Sequence, residues 1–286
     1  MIINTSCFLI KVPPESNEIR KQLFDGFSPE LYPFQREFFF YHSVRNLFND
    51  IIKNNGDYES DKLDIFPKPY IIPGQKTFNR GLEEPLMFED LGKIGYRIWK
   101  DEFNGLDILH TKVALEAYGK LHALGMVLFE KVEVRDENII KLFNFNPASL
   151  VPEKIVDEAM KTFIEWMKNN NYAKEVIAKV ENERKDRNYM KTCEKLFKEG
   201  QSHEIQVVQH FDARSNNIMF NYEADNITPV KAKLVDFQLA SFFPPFWDLI
   251  YFLAVSVSSD VLIPNYNSFI KRFYSSFTIF VFNCIN

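Results

Sequence analysis

Cysteine is scarce in this chain. Only three occur, Cys7, Cys193 and Cys284, spaced too widely for a metal-ligand pattern or a disulfide framework. A reducing compartment, the cytoplasm, is therefore expected. No block of lysine and arginine stands out, and the net charge is −5, which argues against a nucleic-acid partner. No apolar run reaches the length of a membrane span. Leu249 to Val257 is short and follows Asp248, so it reads as a buried helix, and Phe277 to Phe282 is shorter still; no membrane partner is expected. Met1 to Ile10 lacks a charged leader region and does not read as a signal peptide. Cys284 is third from the end, so it is not a prenylation signal. The Asn-x-Ser/Thr matches at Asn4 and Asn226 would matter only in a secreted protein and are read as chance. Internal repeats and low-complexity segments are absent too.

What is present is a globular composition. Of 286 residues, 46% are apolar and 26% charged, enough to bury a core in one large domain or two lobes. Phenylalanine is unusually frequent at 29. A Phe-rich core is the simpler account of it, with a pocket for an apolar ligand as the alternative.

Phe8 to Val12 reads as a strand stopped by Pro13-Pro14. Pro33 to Asn49 carries Phe34, Phe38, Tyr41, Val44 and Leu47 at helical spacing. Short strands follow at Tyr70-Ile71-Ile72 and Pro85 to Phe88. From Glu89-Asp90-Leu91-Gly92 onward the pattern turns mainly helical: Leu106 to Met126, Pro152 to Asn170, Ala173 to Lys198, and Pro245 to about Ser258. The Lys- and Glu-rich faces of the middle helices read as solvated surface. A strand-plus-helix part thus precedes a larger helical part.

The chemistry sits near the C-terminal third. His210-Phe211-Asp212-Ala213-Arg214-Ser215-Asn216-Asn217 has the form His-x-Asp-x-x-x-x-Asn. It lies between the β-branched run Ile205 to Val208 and a short strand, Ile218 to Phe220. A third strand, Ala232 to Val235, ends at Asp236-Phe237. ATP-dependent phosphoryl transfer needs this set. One carboxylate orients the attacking hydroxyl and accepts its proton, and an amide and a second carboxylate hold magnesium. Asp212 fits the first role; Asn217 and Asp236 fit the second. The bare spacing arises by chance in about one in a hundred chains of this length. The competing account is a hairpin with a capping Asp and turn Asn residues, and the strand-loop-strand context tells against it.

Lys11 lies in an apolar strand, where an ammonium is out of place without an anion. Glu37, in the next helix, can supply one, and a Lys11–Glu37 pair can hold the α- and β-phosphates. Singly, each residue reads as surface: a snorkelling lysine and an exposed helical glutamate. Their chain order relative to Asp212, Asn217 and Asp236 favours the paired reading.

These segments together resemble the ecdysteroid kinase-like family, also called CHK kinase-like proteins, within the aminoglycoside and choline phosphotransferase group. Phe8 to Pro13 resembles its phosphate-lysine strand, and Phe34 to Tyr41 its Glu-bearing helix. Leu86 to Leu91 resembles the hinge that receives adenine, and Tyr118 to Ala123 the first large-lobe helix. His210 to Phe220 is similar to the catalytic loop, Lys233 to Gln238 to the metal strand, and Pro245 to Leu253 to the helix after it. His122 reads as a packed structural residue. The resemblance implies an α+β, two-lobed protein-kinase-like fold, with a small antiparallel-sheet lobe over 1–91 and a larger, mainly helical catalytic lobe over 92–286. It implies ATP and Mg2+ as cofactors, with Lys11, Glu37, Met87, Phe88, Glu89 and Asp90 on the nucleotide, Asp212 as catalytic residue, and Asn217 and Asp236 as metal ligands.

Three departures accompany the resemblance. The family usually carries glycine at the position of Phe211; arginine stands there in protein kinases, so a packing change is expected. It commonly has leucine or tryptophan where Ala213 and Arg214 flank Asp212, which points to an altered acceptor pocket. Only ten residues precede Lys11, so two strands and a phosphate-covering turn do not fit before it. The chain also stops soon after Tyr274, where the family continues with further helices. A chain shortened at both ends is expected.

The expected activity is transfer of the ATP γ-phosphate to a hydroxyl of a small lipophilic, steroid-like alcohol. The alternatives are a truncated or inactive pseudokinase acting as a binding module, which a missing glycine-rich loop favours, and a choline- or aminoglycoside-type phosphotransferase, whose cationic acceptor needs an acidic or aromatic cage.

Overall fold

The computed structural model describes residues 8–11, 33–53, 64–70, 85–100, 104–131, 153–186 and 188–285. Chain contacts gather into two compact units: Met1–Pro13, Pro33–Phe143 and Glu204–Asn286 in one, Pro14–Tyr32 and Asn144–His203 in the other. Leu234 N–H donates to the Ile65 carbonyl at 2.8 Å and Lys233 Nζ to that of Phe66 at 3.0 Å, which ties residues 65 and 66 to the strand that runs up to Asp236.

In chain order the elements are β1 (Phe8–Lys11), α1 (Pro33–Phe39), a π-helical turn (Phe40–Val44), α2 (Arg45–Lys53), β2 (Pro69–Tyr70), β3 (Leu86–Glu89), β4 (Arg97–Ile98), α3 (Ile108–Lys131), α4 (Glu153–Asn169), α5 (Lys174–Asp186) and α6 (Asn188–Gln201). Then come β5 (Val207–Gln209), a 3-10 turn (Ser215–Asn217), β6 (Ile218–Tyr222), β7 (Pro229–Leu234), β8 (Ser241–Phe243), α7 (Phe246–Ser256) and α8 (Ser259–Ile285). The α+β class expected from the sequence is what the chain adopts: short antiparallel sheets beside a larger helical part. The run from Ala173 to Lys198 is helical over Lys174–Asp186 and Asn188–Gln201.

In the first unit, β3 lies between β1 and β2. Its Leu86 and Phe88 are buried while Met87 and Glu89 are half-buried, the two-residue alternation of a strand with one covered face. Pro69 sits in an edge strand, where its missing N–H costs no ladder bond. A second sheet runs β4-β6-β7 and a third pairs β5 with β8.

Asp107 caps α3 by accepting the His110 backbone N–H at 2.9 Å. The buried stripe of α3 includes Leu115, Tyr118, Leu121 and Leu128. A Cβ at Gly125 would fall 2.2 Å from the Val208 nitrogen, so only glycine lets β5 lie this close against the helix. β5 carries the loop that holds Asp212, so this approach also sets the depth of the site.

Phenylalanine builds the core. Phe40, Phe48, Phe66, Phe220, Phe237, Phe252, Phe269 and Phe273 are fully buried. Phe40 and Phe237 stack face to face, centroids 3.7 Å apart. The π-helical turn inserts one residue into the helical ladder, and the consecutive Phe39, Phe40 and Tyr41 are all buried there.

In the second unit, Ile164 and Met167 of α4 pack with Ile177 of α5. Lys168 pairs with Glu181 at 2.6 Å and Arg184 with Asp157 at 2.8 Å, so charges on these helices are partly spent on each other. Among the described residues, no helix is long and apolar enough to cross a membrane.

Candidate active site

β1 ends at Lys11. Its Nζ lies 2.5 Å from Glu37 Oε2 and 2.7 Å from Asp236 Oδ1. Glu37 projects from α1 and is buried; burial pushes its carboxyl up to about 7, even with the Lys11 charge opposing. Burial also works against the Lys11 ammonium, but the two carboxylates outweigh it and hold its pKa above the usual lysine range. Tyr41, one turn beyond Glu37, accepts the Asp236 backbone N–H, and burial keeps its hydroxyl protonated far above the usual range.

The loop after β5 is braced from α7 by Asp248, which is fully buried. Asp248 Oδ2 accepts the His210 N–H at 2.6 Å and Oδ1 the Phe211 N–H at 2.9 Å. Its Oδ2 also meets His122 Nε2 at 3.1 Å, and its own N–H donates to Gln209 Oε1 at 2.8 Å. A buried carboxylate at the start of a helix thus supplies the acceptors that this loop's backbone lacks. His122 is, as expected, a packed residue.

Phe211 has φ +63°, the left-handed region that glycine enters freely and a Cβ opposes by roughly 1–2 kcal/mol. The backbone here does favour glycine, so the departure at Phe211 is more than a packing change. The two Asp248 hydrogen bonds hold the turn, and the ring packs on Phe243 and Trp247 at 5.5 and 5.9 Å.

His210 Nε2 donates to the Val235 carbonyl at 2.8 Å, and its Nδ1 accepts the Asp212 N–H at 3.3 Å. That pattern requires the neutral ring with its proton on Nε2. Asn217 Nδ2 donates to Asp212 Oδ2 at 2.8 Å and to its carbonyl at 2.9 Å. The Asn217 carbonyl accepts the Val235 N–H at 3.0 Å. Val235 therefore joins the Asp212–Asn217 loop on one side and runs directly into Asp236 on the other. Asp236 is also left-handed, φ +69°, which turns its carboxylate toward Lys11 while Phe237 goes into the core.

The structure thus brings Lys11, Glu37 and Asp236 into direct contact, and Asp212 and Asn217 into direct contact, with Val235 and His210 between the two groups. The donor atoms for a metal are oxygens: the Asp236 carboxylate and Asn217 Oδ1, whose amide nitrogen is already spent on Asp212. Among the described residues, no three His, Cys, Asp or Glu side chains form a metal-binding group. A pair of oxygen donors completed by phosphates and water suits Mg2+, which keeps several waters and takes few protein ligands.

Met87 and Phe88 lie mid-β3, paired with Ile10 and Leu9 of β1 and with Tyr70 and Pro69 of β2; Phe88 packs on Tyr41 at 4.6 Å. Glu89 and Asp90 lie at the strand's exit. Glu89 Oε1 accepts the Lys68 N–H at 2.9 Å and Lys233 Nζ at 3.0 Å. Asp90 Oδ1 accepts the Gly92 N–H at 3.0 Å and the Lys93 N–H at 3.3 Å, fixing the turn that follows. Lys11 is opposite Leu86 and Phe8 opposite Glu89, so this exit and the lysine sit at opposite ends of the pair, roughly 10 Å apart along the strand.

Sequence reasoning missed Asp248, Gln209 and Tyr41 as supports of the site. Asp248 stood in the segment after the third strand and was readable only as the start of a buried helix. The contact of Arg214 with Asp212, Nε to Oδ1 at 3.2 Å, was also unforeseen, although Arg214 itself stood out.

The model of the ecdysteroid kinase-like family matches residues 3–281 of this chain. No curated protein matches it. A solved structure similar to it is an ethanolamine kinase of Plasmodium vivax, 13% identical, with a TM-score of 0.38 over 85% of this chain and 63% of that one. The chain therefore spans under two thirds of that protein's length.

Proposed function

The chain belongs to the ecdysteroid kinase-like family, and from that premise we propose that it is an ATP-dependent kinase of small molecules, acting in the cytoplasm on a hydroxyl of a lipophilic, steroid-like alcohol. The observation that carries this reading is the cluster of Lys11, Glu37 and Asp236, joined through Val235 to the Asp212–Asn217 pair.

Lys11 holds the α- and β-phosphates of ATP, with Glu37 fixing its ammonium. The backbone around Met87 to Asp90, where β3 leaves the sheet, receives adenine. Asp236 and Asn217 Oδ1 would hold magnesium, which supplies neutralisation of phosphate charge. Asp212 orients the acceptor hydroxyl and takes its proton as the acceptor oxygen bonds to the γ-phosphorus. The bond from that phosphorus to the bridging oxygen breaks, and ADP leaves with the electron pair. Most of the rate comes from positioning and charge stabilisation.

The test is ADP release with magnesium, ATP and a panel of alcohols. Asp212→Asn keeps the hydrogen bond from Asn217 but cannot accept the proton, so the rate should fall about 10²–10⁴-fold with ATP affinity little changed. Equal rates for Asp212→Asn and the parent chain would overturn the reading, and nucleotide binding without any turnover would favour a binding module.

A further inference from the structure

Beside Asp212 lies a cation that the phosphotransfer reading leaves unused. Arg214 Nε lies 3.2 Å from Asp212 Oδ1. The backbone of Arg214 is fixed at both ends: its N–H donates to the Asp212 carbonyl at 2.9 Å, and its carbonyl accepts the Asn217 N–H at 3.0 Å. The side-chain root therefore cannot drift from Asp212. The Arg214 side chain is 49% exposed against 14% for Asp212, so it stands on the open side of the carboxylate. Among the described residues, Asp212 is its one ion-pair partner, met through Nε, which leaves the terminal amino groups to face a further anion. Tyr251 of α7 stands in the same place. Burial raises its hydroxyl pKa first, the Asp212 charge raises it further, and the Arg214 charge lowers it.

The two cations of the site are therefore unequal. Lys11 is shared by two carboxylates, while Arg214 has part of one. An acceptor must bring its hydroxyl to Asp212, and its neighbouring atoms then come within reach of the guanidinium. An amine or quaternary ammonium there meets like charge. An oxyanion meets a planar fork of donors that matches it.

We propose that Arg214 selects the acceptor: the alcohol phosphorylated here carries an oxyanion, a carboxylate or a phosphate ester, near its reacting hydroxyl. This rests on the kinase reading and narrows its substrate class. An amphiphile with an apolar body and an acidic group meets both requirements.

The test uses four-carbon alcohols that differ only at the far end: a second hydroxyl, a carboxylate, a phosphate ester or an ammonium. Binding is measured by calorimetry on the full chain with magnesium and a non-hydrolysable ATP analogue, and ADP release is measured in parallel with ATP. At least one oxyanion compound should bind about tenfold to a hundredfold tighter than the diol, and the ammonium compound more weakly than the diol. The two acidic compounds separate carboxylate from phosphate recognition. Arg214→Leu should erase the order, Arg214→Lys should keep part of it, and Arg214→Glu should invert it. Ratios between acceptors cancel any effect of these changes on Asp212 itself. Oxyanion compounds that bind no tighter than the diol, or an order that survives Arg214→Leu, overturn the proposal. Charge-ordered binding without ADP release would sink the kinase reading alone, and ADP release without charge order would sink the selectivity alone.

Discussion

Lys11 and Asp236 are 225 residues apart in sequence, yet Nζ and Oδ1 are 2.7 Å apart. The ammonium links the end of the first strand to the carboxylate after the seventh, and Glu37 completes the contact from α1. The cation ties three distant segments together, and removing the Lys11 charge would leave two carboxylates facing each other poorly compensated.

Glu37 gives this cluster a pH signature. Its carboxyl is raised from 4.5 to about 7, by burial first. A carboxyl raised on folding contributes stability that is fully present below its unfolded value and is lost as pH rises through its folded value. Stability of the parent chain should therefore fall, relative to Glu37→Gln, between about pH 4.5 and 7. The difference should be on the order of 3 kcal/mol at most. Urea unfolding of both proteins across that range checks it; parallel curves would refute it.

Asp248 should be the least replaceable acidic side chain outside the reaction itself. Asp248→Ala strands the N–H groups of His210 and Phe211 and leaves His122 without its carboxylate. The expected loss is about 3–5 kcal/mol. Asp248→Asn keeps one acceptor and should lose less. Guanidinium unfolding measures both, and an Ala variant within ~1 kcal/mol of the parent would contradict the brace.

Phe211 tests two opposed terms. Truncating the ring loses packing on Phe243 and Trp247, about 3–5 kcal/mol for removal to Ala. Glycine removes the same ring but also the left-handed penalty of roughly 1–2 kcal/mol. Phe211→Gly should therefore be less stable than the parent yet more stable than Phe211→Ala. That order reverses the one expected inside a helix or strand. Midpoints of chemical unfolding for the three proteins decide it.

Much of the site was legible because its residues lie in short contiguous runs. Asp212 and Asn217 share one loop, and Asp236 ends a strand of its own. Lys11 announced itself as a charge in an apolar strand. Its second partner, Asp236, was not foreseen, since one anion already satisfied the argument. Asp248 was illegible for a different reason: a buried carboxylate serving backbone donors 37 and 38 residues away leaves no local pattern. Among the elements, β4 and β8 span two and three residues, too short for alternation to register. The helix α8 escaped because Pro264, which lies inside its first turns, reads as a helix break, and its apolar residues are both buried and exposed.

The stacked rings of Phe40 and Phe237 reach beyond stability into ancestry. One belongs to the helical segment that carries Glu37, the other follows Asp236 directly, and Arg36 of that same segment hydrogen-bonds the Ala240 carbonyl. Because the rings fill each other's space, a lineage that trims one must enlarge the other or tilt Glu37 away from Lys11. Among relatives of this chain, positions 40 and 237 should change together, and the size of one should foretell the size of the other.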